Sequence, residues 1–189
     1  YRLDLHNELS AGFLVQVLLG AAFIGVFEEA FFRGFVYGAL RTRTSTAFAA
    51  VAASLFFAAL HFAQPVVRSP RWADWDEGMQ LLALCGNGFD PLRDWPYAIT
   101  LFLMGLTLCR LYQCRGNLAW CVGLHAGWVL AMQLGNQLCD RDFDRLVWLF
   151  TQSGYVGQGL IATPVMGAFF LWSLTLKPVK PVVPRRPVL

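Results

Sequence analysis

The sequence has little charge. Only 14% of its 189 residues are Asp, Glu, Lys or Arg, whereas soluble domains carry roughly 25%. Hydrophobic residues make up 57% of the chain, and between Leu9 and Leu40 the only acidic or basic side chains are Glu28, Glu29 and Arg33. This composition argues against an ordinary soluble domain and is typical of a membrane protein with several spans.

Familiar metal-binding, redox and nucleic-acid-binding patterns are also missing. The five cysteines contain no C-x-x-C pair, so we expect them to be small apolar residues or free thiols. There is no H-E-x-x-H sequence, the motif of zincin-type proteases. The basic residues do not alternate with aromatic residues as in a nucleic-acid-binding surface, so we expect no nucleic-acid partner.

Long apolar stretches predict an all-α polytopic membrane helical bundle with about five transmembrane helices. Each stretch is near the roughly 20 residues that a bilayer requires, or reaches that length with its flanks. The predicted spans are 11–40, 46–64, 97–109 extended into its flanks, 117–137 and 156–176.

The connecting segments alternate in charge. Basic residues dominate 41–45, 110–116 and the tail from Lys177, while acidic residues dominate 1–10, 65–96 and 138–155. Because Lys and Arg concentrate on the cytoplasmic side of membrane proteins, we expect an outside amino terminus and a cytoplasmic carboxyl terminus. The pattern predicts a membrane domain over 1–176 and a proline-rich, basic cytoplasmic tail over 177–189.

A few ionisable side chains remain within the predicted spans. They are Glu28, Glu29 and Arg33 in the first span, His61 in the second and His125 in the fourth. A charged group at the bilayer centre costs about 2.5–3.5 kcal/mol on insertion scales, and such residues usually face a bundle interior or a cavity. We therefore predict that these side chains form one functional constellation.

Helix geometry separates the two glutamates. Glu29 and Arg33 are four residues apart on one helix face, with the acid nearer the amino terminus, which favours an ion pair. Glu28 is rotated by about 100° from Glu29 and has no basic residue three or four positions away. We expect Glu28 to meet groups on other helices. The alternative is that both glutamates share Arg33 as one packing clamp.

Small residues recur every four positions in two of the predicted spans. Such stripes allow membrane helices to approach closely, and here they lie opposite Glu28 and His125 on their helices. We therefore expect close helix contacts at these positions: Ala30, Gly34 and Gly38 in the first span, and Ala119, Gly123, Gly127, Ala131 and Gly135 in the fourth.

One glutamate and two histidines suggest activation of a water molecule. A buried Glu can act as general base, a neighbouring His can share the proton, and a second His can stabilise the developing oxyanion. The same three residues, Glu28, His61 and His125, could instead hold a divalent metal such as zinc and leave one position open for water. Both alternatives predict hydrolysis at membrane depth of an apolar or membrane-associated substrate. We expect no cofactor, with zinc as the alternative.

Three motifs in this order resemble the CPBP family. They are E-E-x-x-x-R from Glu28 to Arg33, F-x-x-x-H from Phe57 to His61, and His125 within GLHAGWV. The CPBP family groups the type II CAAX prenyl endopeptidases with bacterial abortive-infection and bacteriocin-processing relatives. The resemblance extends from about residue 10 to residue 135.

The resemblance implies an intramembrane protease of the glutamic type over 1–176, situated in a bacterial inner membrane. Its substrate would be a membrane-associated or lipidated protein or peptide. By the same resemblance, Glu28 and His61 would activate the water, and His125 would belong to the oxyanion hole. Glu29 and Arg33 would support the site.

One position departs from the family pattern. The third motif is usually H-x-x-x-N, but the residue four after His125 is Val129, which cannot donate a hydrogen bond. Loss of one oxyanion donor costs about 100–1000-fold in rate. Trp128 could substitute through its indole N–H, or serve as a packing aromatic. Asn136 lies about 16 Å from His125 along a helix axis.

Two alternative functions follow from these observations. Val129 is the main support for a catalytically impaired membrane scaffold or chaperone that has the protease fold. A proton-coupled transporter also uses Glu and His within spans, but the sequence has neither an inverted repeat nor a pair of broken helices.

Overall fold

A computed structural model describes residues 10–62, 91–138 and 160–178. Every regular element in these ranges is a helix, so the predicted all-α architecture is confirmed. The helices are α1 (Ala11–Arg43), α2 (Thr46–Phe62), α3 (Pro91–Arg115), α4 (Ala119–Leu138) and α5 (Ala162–Thr175). Among them, α1 and the Asp94–Arg115 part of α3 are long and apolar enough to cross a membrane, and α2 and α5 are shorter apolar helices.

The helices form a bundle in which α1 packs mainly on α4, and α3 packs on both α2 and α5. Short connections at 44–45 and 116–118 reverse the chain direction. Helix α5 runs parallel to α3, because Thr100 contacts Thr163 near one end (3.0 Å between hydroxyl oxygens) and Arg110 donates to the carbonyl of Leu176 near the other. The carboxyl ends of α1, α3 and α5 therefore lie at one end of the bundle.

The basic residues follow this arrangement. Arg41 and Arg43 end α1, Arg115 ends α3, and Lys177 follows α5, so the structure gathers them at the same end. This grouping agrees with the alternating charge of the connecting segments. The side of the membrane that this end faces stays a prediction.

Helix α1 changes its winding next to the two glutamates. It begins at Ser10, whose hydroxyl accepts the N–H of Phe13 and so caps the helix. The segment Ala30–Tyr37 is a π-helix, in which each hydrogen bond spans one residue more than in an α-helix. Four residues therefore cover slightly less than one turn in this segment, whereas they cover slightly more than one turn in an α-helix. The buried line along α1 consists of Val17, Ala21, Gly25, Glu29, Arg33 and Tyr37.

Two helices extend further into charged sequence than the apolar stretches themselves. The first ends at Arg43, and the third, predicted as 97–109 extended into its flanks, covers Pro91–Arg115. Arg110 is thus helical, although the segment 110–116 was predicted to be a connection. Its long side chain reaches the carbonyl of Leu176 at the end of α5 (2.8 Å), and this partner allows a guanidinium inside the bundle. Residues 63–64 of the second predicted span and 156–159 of the fifth lie outside the described residues.

The predicted close contacts along the small-residue stripes are wrong. Ala119, Gly123 and Gly127 are exposed, and a Cβ added at either glycine would meet nothing within 4 Å. Ala30 and Gly34 on α1 are exposed as well. The cause is that the face of α4 that carries His125 turns inwards, which leaves the opposite, small-residue face on the outside.

Other glycines make the close helix contacts. A Cβ added at Gly25 of α1 would lie 3.1 Å from the carbonyl oxygen of Val122 and 3.2 Å from the Cβ of Ala126, both on α4. A Cβ added at Gly105 of α3 would lie 2.7 Å from the Cβ of Ser54 on α2. These two glycines fix how closely α4 and α2 approach the centre of the bundle.

Candidate active site

Glu29 is the centre of a buried polar network between α1 and α4. Its side chain is 0% exposed, and its Oε1 atom accepts hydrogen bonds from Arg33 Nη1 (2.8 Å) and His125 Nδ1 (2.7 Å). The Glu29–Arg33 ion pair confirms the prediction from their spacing. Among the described ion pairs, Arg33 is joined to Glu29 and not to Glu28, which disfavours the alternative of a shared clamp.

Arg33 is held inside the bundle from three sides. It is 1% exposed, and besides its ion pair its Nη2 lies 3.4 Å from the carbonyl oxygen of Gly105. Its Cζ lies 4.7 Å from the centre of the Phe57 ring, a distance at which the ring face attracts a cation. Because the interior is apolar, the buried positive charge of Arg33 needs the carboxylate of Glu29 as its counter-ion.

Glu28 occupies a different environment one residue earlier. Its side chain is 26% exposed, and its Oε2 lies 3.9 Å from His61 Nε2 and 3.8 Å from His125 Nε2. Within the described residues this oxygen has no hydrogen-bond partner. The structure thus brings Glu28, His61 and His125 together from α1, α2 and α4.

The hydrogen bonds of the two histidines determine which ring nitrogens face Glu28. His61 Nδ1 lies 2.8 Å from the carbonyl oxygen of Phe57, and a carbonyl only accepts, so this nitrogen carries a proton. His125 Nδ1 carries a proton for the same reason, because its partner is the carboxylate of Glu29. In a neutral ring the remaining Nε2 is therefore an acceptor.

Glu28 and the two histidines consequently present three acceptor atoms to one small volume. Acceptors facing each other without a proton between them are unfavourable in a low-dielectric interior. Separations of 3.8 and 3.9 Å are too long for direct hydrogen bonds but suit a water molecule that donates one hydrogen bond of about 2.8 Å to Glu28 and one to a histidine. The arrangement can hold a water molecule and accept a proton from it.

Phe57 positions both histidines. Its ring is 0% exposed, and its centre lies 4.5 Å from that of His61 and 5.9 Å from that of His125. The residue also supplies the carbonyl that fixes the His61 ring and the aromatic face that contacts Arg33. Its place four residues before His61 follows from the helix period, since both side chains share one face.

A cavity of about 360 Å³ adjoins the two histidine rings. Helices α3 and α4 provide most of its wall, which combines apolar side chains with a few polar ones. Trp128 and Val129 both line it, and Trp128 also packs against the apolar cluster around Met104 and Leu108. The polar residues of the wall include Tyr97, Thr100, Gln133 and Asn136.

Gln133 is a residue of this wall that sequence reasoning missed. It lies eight positions after His125, a separation that returns to the same helix face after about two turns. That spacing was the available signal. A single Gln in an amphipathic helix is common, however, so the residue stands out only when the cavity is known.

The described residues do not fit a zinc site as they are placed. No group of three or more His, Cys, Asp or Glu side chains among them is arranged to hold a metal ion. The separations of 3.8 and 3.9 Å between Glu28 and the two histidines exceed the about 3.4 Å that tetrahedral zinc with bonds near 2.1 Å imposes on neighbouring ligands.

Comparison with protein families identifies the class of the molecule. The family model described as type II CAAX prenyl endopeptidase, Rce1-like, matches residues 10–131, well over half of the chain. The chain belongs to this family. It is therefore a membrane-embedded peptidase of the CAAX-protease type. The matched range includes Glu28, Glu29, Arg33, His61 and His125. Neither the curated proteins nor the solved structures gave a match.

Proposed function

We propose that the chain is an intramembrane endopeptidase that hydrolyses a peptide bond with a water molecule activated by Glu28 and His61. The observation that carries this proposal is the position of Glu28 Oε2, within 3.9 Å of the Nε2 atoms of histidines from two other helices. The rings of both histidines line a cavity large enough for part of a peptide.

The first step is attack of water on the substrate. Glu28 and His61 hydrogen-bond the water molecule, and the carboxylate accepts its proton as the oxygen bonds to the carbonyl carbon of the substrate. His61 is suited to share this proton, because its Nδ1–H is occupied by the carbonyl of Phe57 and its Nε2 faces Glu28.

The second step stabilises and then collapses the tetrahedral intermediate. With its Nδ1–H donated to Glu29, His125 can donate from Nε2 to the oxyanion only when both ring nitrogens are protonated. The proton taken from water then passes to the leaving nitrogen as the carbon–nitrogen bond breaks. Trp128, in the same cavity wall, is our candidate for a second donor in place of Val129.

The location of the site and the family both support a membrane-associated substrate. Water activation within an apolar bundle suits a substrate that reaches the site from the bilayer, such as a lipidated protein or peptide. The family description names CAAX prenyl endopeptidases, so a prenylated CAAX peptide is the first substrate to test. We further propose a cell-membrane location with a cytoplasmic carboxyl terminus. The proposed reaction needs no metal.

The experiment is cleavage of a fluorogenic farnesylated CAAX peptide by the full chain in proteoliposomes. Glu28→Gln should lower kcat about 100–10,000-fold, the range for loss of a general base. Phe27→Leu is the matched control. Because Phe27 is the exposed neighbour of Glu28, this variant should cleave the peptide like the wild type.

Full activity of Glu28→Gln would show that the proposed mechanism is wrong. Two results together would favour the non-catalytic scaffold or chaperone. The wild-type chain would cleave no peptide in the assay, and Glu28→Gln would preserve the biological function in cells.

A further inference from the structure

One face of α4 extends the active site along the cavity. His125 is at one end of this face and Asn136 at the other, with Val129 and Gln133 between them, and all four line the cavity. Val129 offers no hydrogen bond, and the indole N–H of Trp128 is our candidate for the oxyanion. Gln133 is therefore the first carboxamide that a substrate passing along α4 from His125 would meet.

The distance from His125 determines what Gln133 can contact. Eight residues of helix correspond to about 12 Å along the axis, and helical side chains lean towards the amino terminus. A Gln133 side chain that follows this tendency brings its amide closer to His125. An oxyanion donor must lie about 3 Å from the reacting oxygen, so Gln133 is too far away for that role. It can reach a substrate segment about three residues from the scissile bond, since an extended chain rises about 3.3 Å per residue.

The chemistry of a carboxamide suits this position. It carries donors and an acceptor, which together match the N–H and C=O of a peptide group. It is also uncharged, so in an apolar cavity it costs less than a charged side chain. The α3 part of the wall combines Leu101 and Met104, which offer apolar contact, with the polar side chains of Tyr97 and Thr100. On α4 beyond Trp128, the hydrogen-bonding side chains of the wall are carboxamides.

We propose that Gln133 binds the main chain of the substrate about three residues from the scissile bond. Its side-chain N–H donates to a substrate carbonyl, and its Oε1 accepts a substrate N–H. This inference rests on the proposed endopeptidase function and adds a residue to it. Because the contact is to the main chain, it holds the peptide extended along α4 and is insensitive to the substrate side chain at that position.

The test uses Gln133→Met, which keeps an unbranched side chain and removes the amide. With the farnesylated CAAX peptide, KM should rise about tenfold while kcat stays within about twofold, as expected when a substrate hydrogen bond present in both ground and transition state is lost. Gln16→Met, the same change at an exposed position of α1, is the matched control and should leave both constants unchanged.

A series of peptides, each N-methylated at one backbone nitrogen, locates the contact. One N-methylation about three residues from the scissile bond should raise the KM of the wild type about tenfold. It should leave the KM of Gln133→Met unchanged, because that variant already lacks the hydrogen bond. Equal sensitivity of both chains at every position, or an unchanged KM in Gln133→Met, would overturn the proposal.

Binding separates this proposal from the proposed function. Fluorescence anisotropy of the same peptides with Glu28→Gln measures affinity without cleavage, and adding Gln133→Met should weaken it about tenfold. A wild type that binds but never cleaves contradicts the endopeptidase function alone. Equal peptide affinity with and without the Gln133 amide contradicts the role of Gln133.

Discussion

Glu28 and Glu29 are consecutive residues of one helix, yet their surroundings are opposite. Glu29 is 0% exposed, with two hydrogen-bond donors within 2.8 Å of one oxygen. Glu28 is 26% exposed and faces two imidazole nitrogens at 3.8 and 3.9 Å. The first carboxylate is bound to two donors through one oxygen, and the second has room for a reactant. In the proposed mechanism, the two adjacent glutamates divide into a structural anchor and a reactive group.

His125 connects these two environments. Its Nδ1 contacts Glu29 and its Nε2 faces Glu28. The hydrogen bond from Nδ1 to Glu29 fixes the orientation of the ring, whereas Nε2 remains available for chemistry. Changes at Glu29 should therefore act first on stability, and changes at Glu28 on rate.

Removal of the Glu29 carboxylate should have the largest effect on stability. Glu29→Leu leaves the buried guanidinium of Arg33 without a counter-ion, and breaking a buried pair in this way costs about 3–5 kcal/mol. The free energy of unfolding in detergent measures this. Glu28→Leu is the control and should change it far less, since Glu28 has no ion pair with Arg33.

A double variant sharpens that result. Glu29→Leu combined with Arg33→Met removes both charges, and replacing a whole buried pair by apolar residues is often neutral. It should therefore be more stable than Glu29→Leu alone. Equal stability of the single and double variants would mean that the unpaired Arg33 charge is not the cause.

Packing between α1 and α4 should have the next largest effect, because this contact holds His125 against Glu29. Gly25→Ala brings a Cβ to 3.1 Å from the carbonyl oxygen of Val122 and should cost about 1–3 kcal/mol, as for an overpacked core. Gly127→Ala meets nothing within 4 Å and should stay within about 0.5 kcal/mol. Thermal unfolding measures both losses of stability. A larger loss for Gly127→Ala than for Gly25→Ala would show that the small-residue stripe of α4 is the helix contact after all.

Metal removal should have the smallest effect. In the proposed reaction, side chains and not a metal ion activate the water. Incubation with EDTA or 1,10-phenanthroline should therefore leave peptide cleavage by the wild type unchanged. Loss of cleavage that zinc restores would contradict the distinction between the glutamates, since Glu28 would then be a ligand and not a base.

Interactions within one helix could be predicted from the sequence. The apolar stretches gave the helices, and the four-residue spacing gave the Glu29–Arg33 pair. Both depend on local periodicity, which a single sequence contains. The ends of the helices were predicted less accurately. Arg110 remains inside α3 despite its charge, because it donates to the carbonyl of Leu176 at the end of α5.

Interactions between helices could not be predicted in the same way. The Glu29–His125 hydrogen bond joins residues 96 positions apart, and its formation depends on the rotation of α4. The same rotation turns Gly123 and Gly127 outwards, although their spacing favoured a helix contact. The π-helix of Ala30–Tyr37 has no recognised sequence signal here.

The most direct test measures cleavage rate and unfolding together for Glu28→Gln and Glu29→Gln. Both variants remove one negative charge and keep the side-chain shape. Glu28→Gln should lose about 100–10,000-fold in kcat with unfolding like the wild type, and Glu29→Gln should unfold more easily because Arg33 loses its counter-ion. Equal destabilisation by the two variants, or wild-type cleavage by Glu28→Gln, would contradict the division of roles between these neighbours.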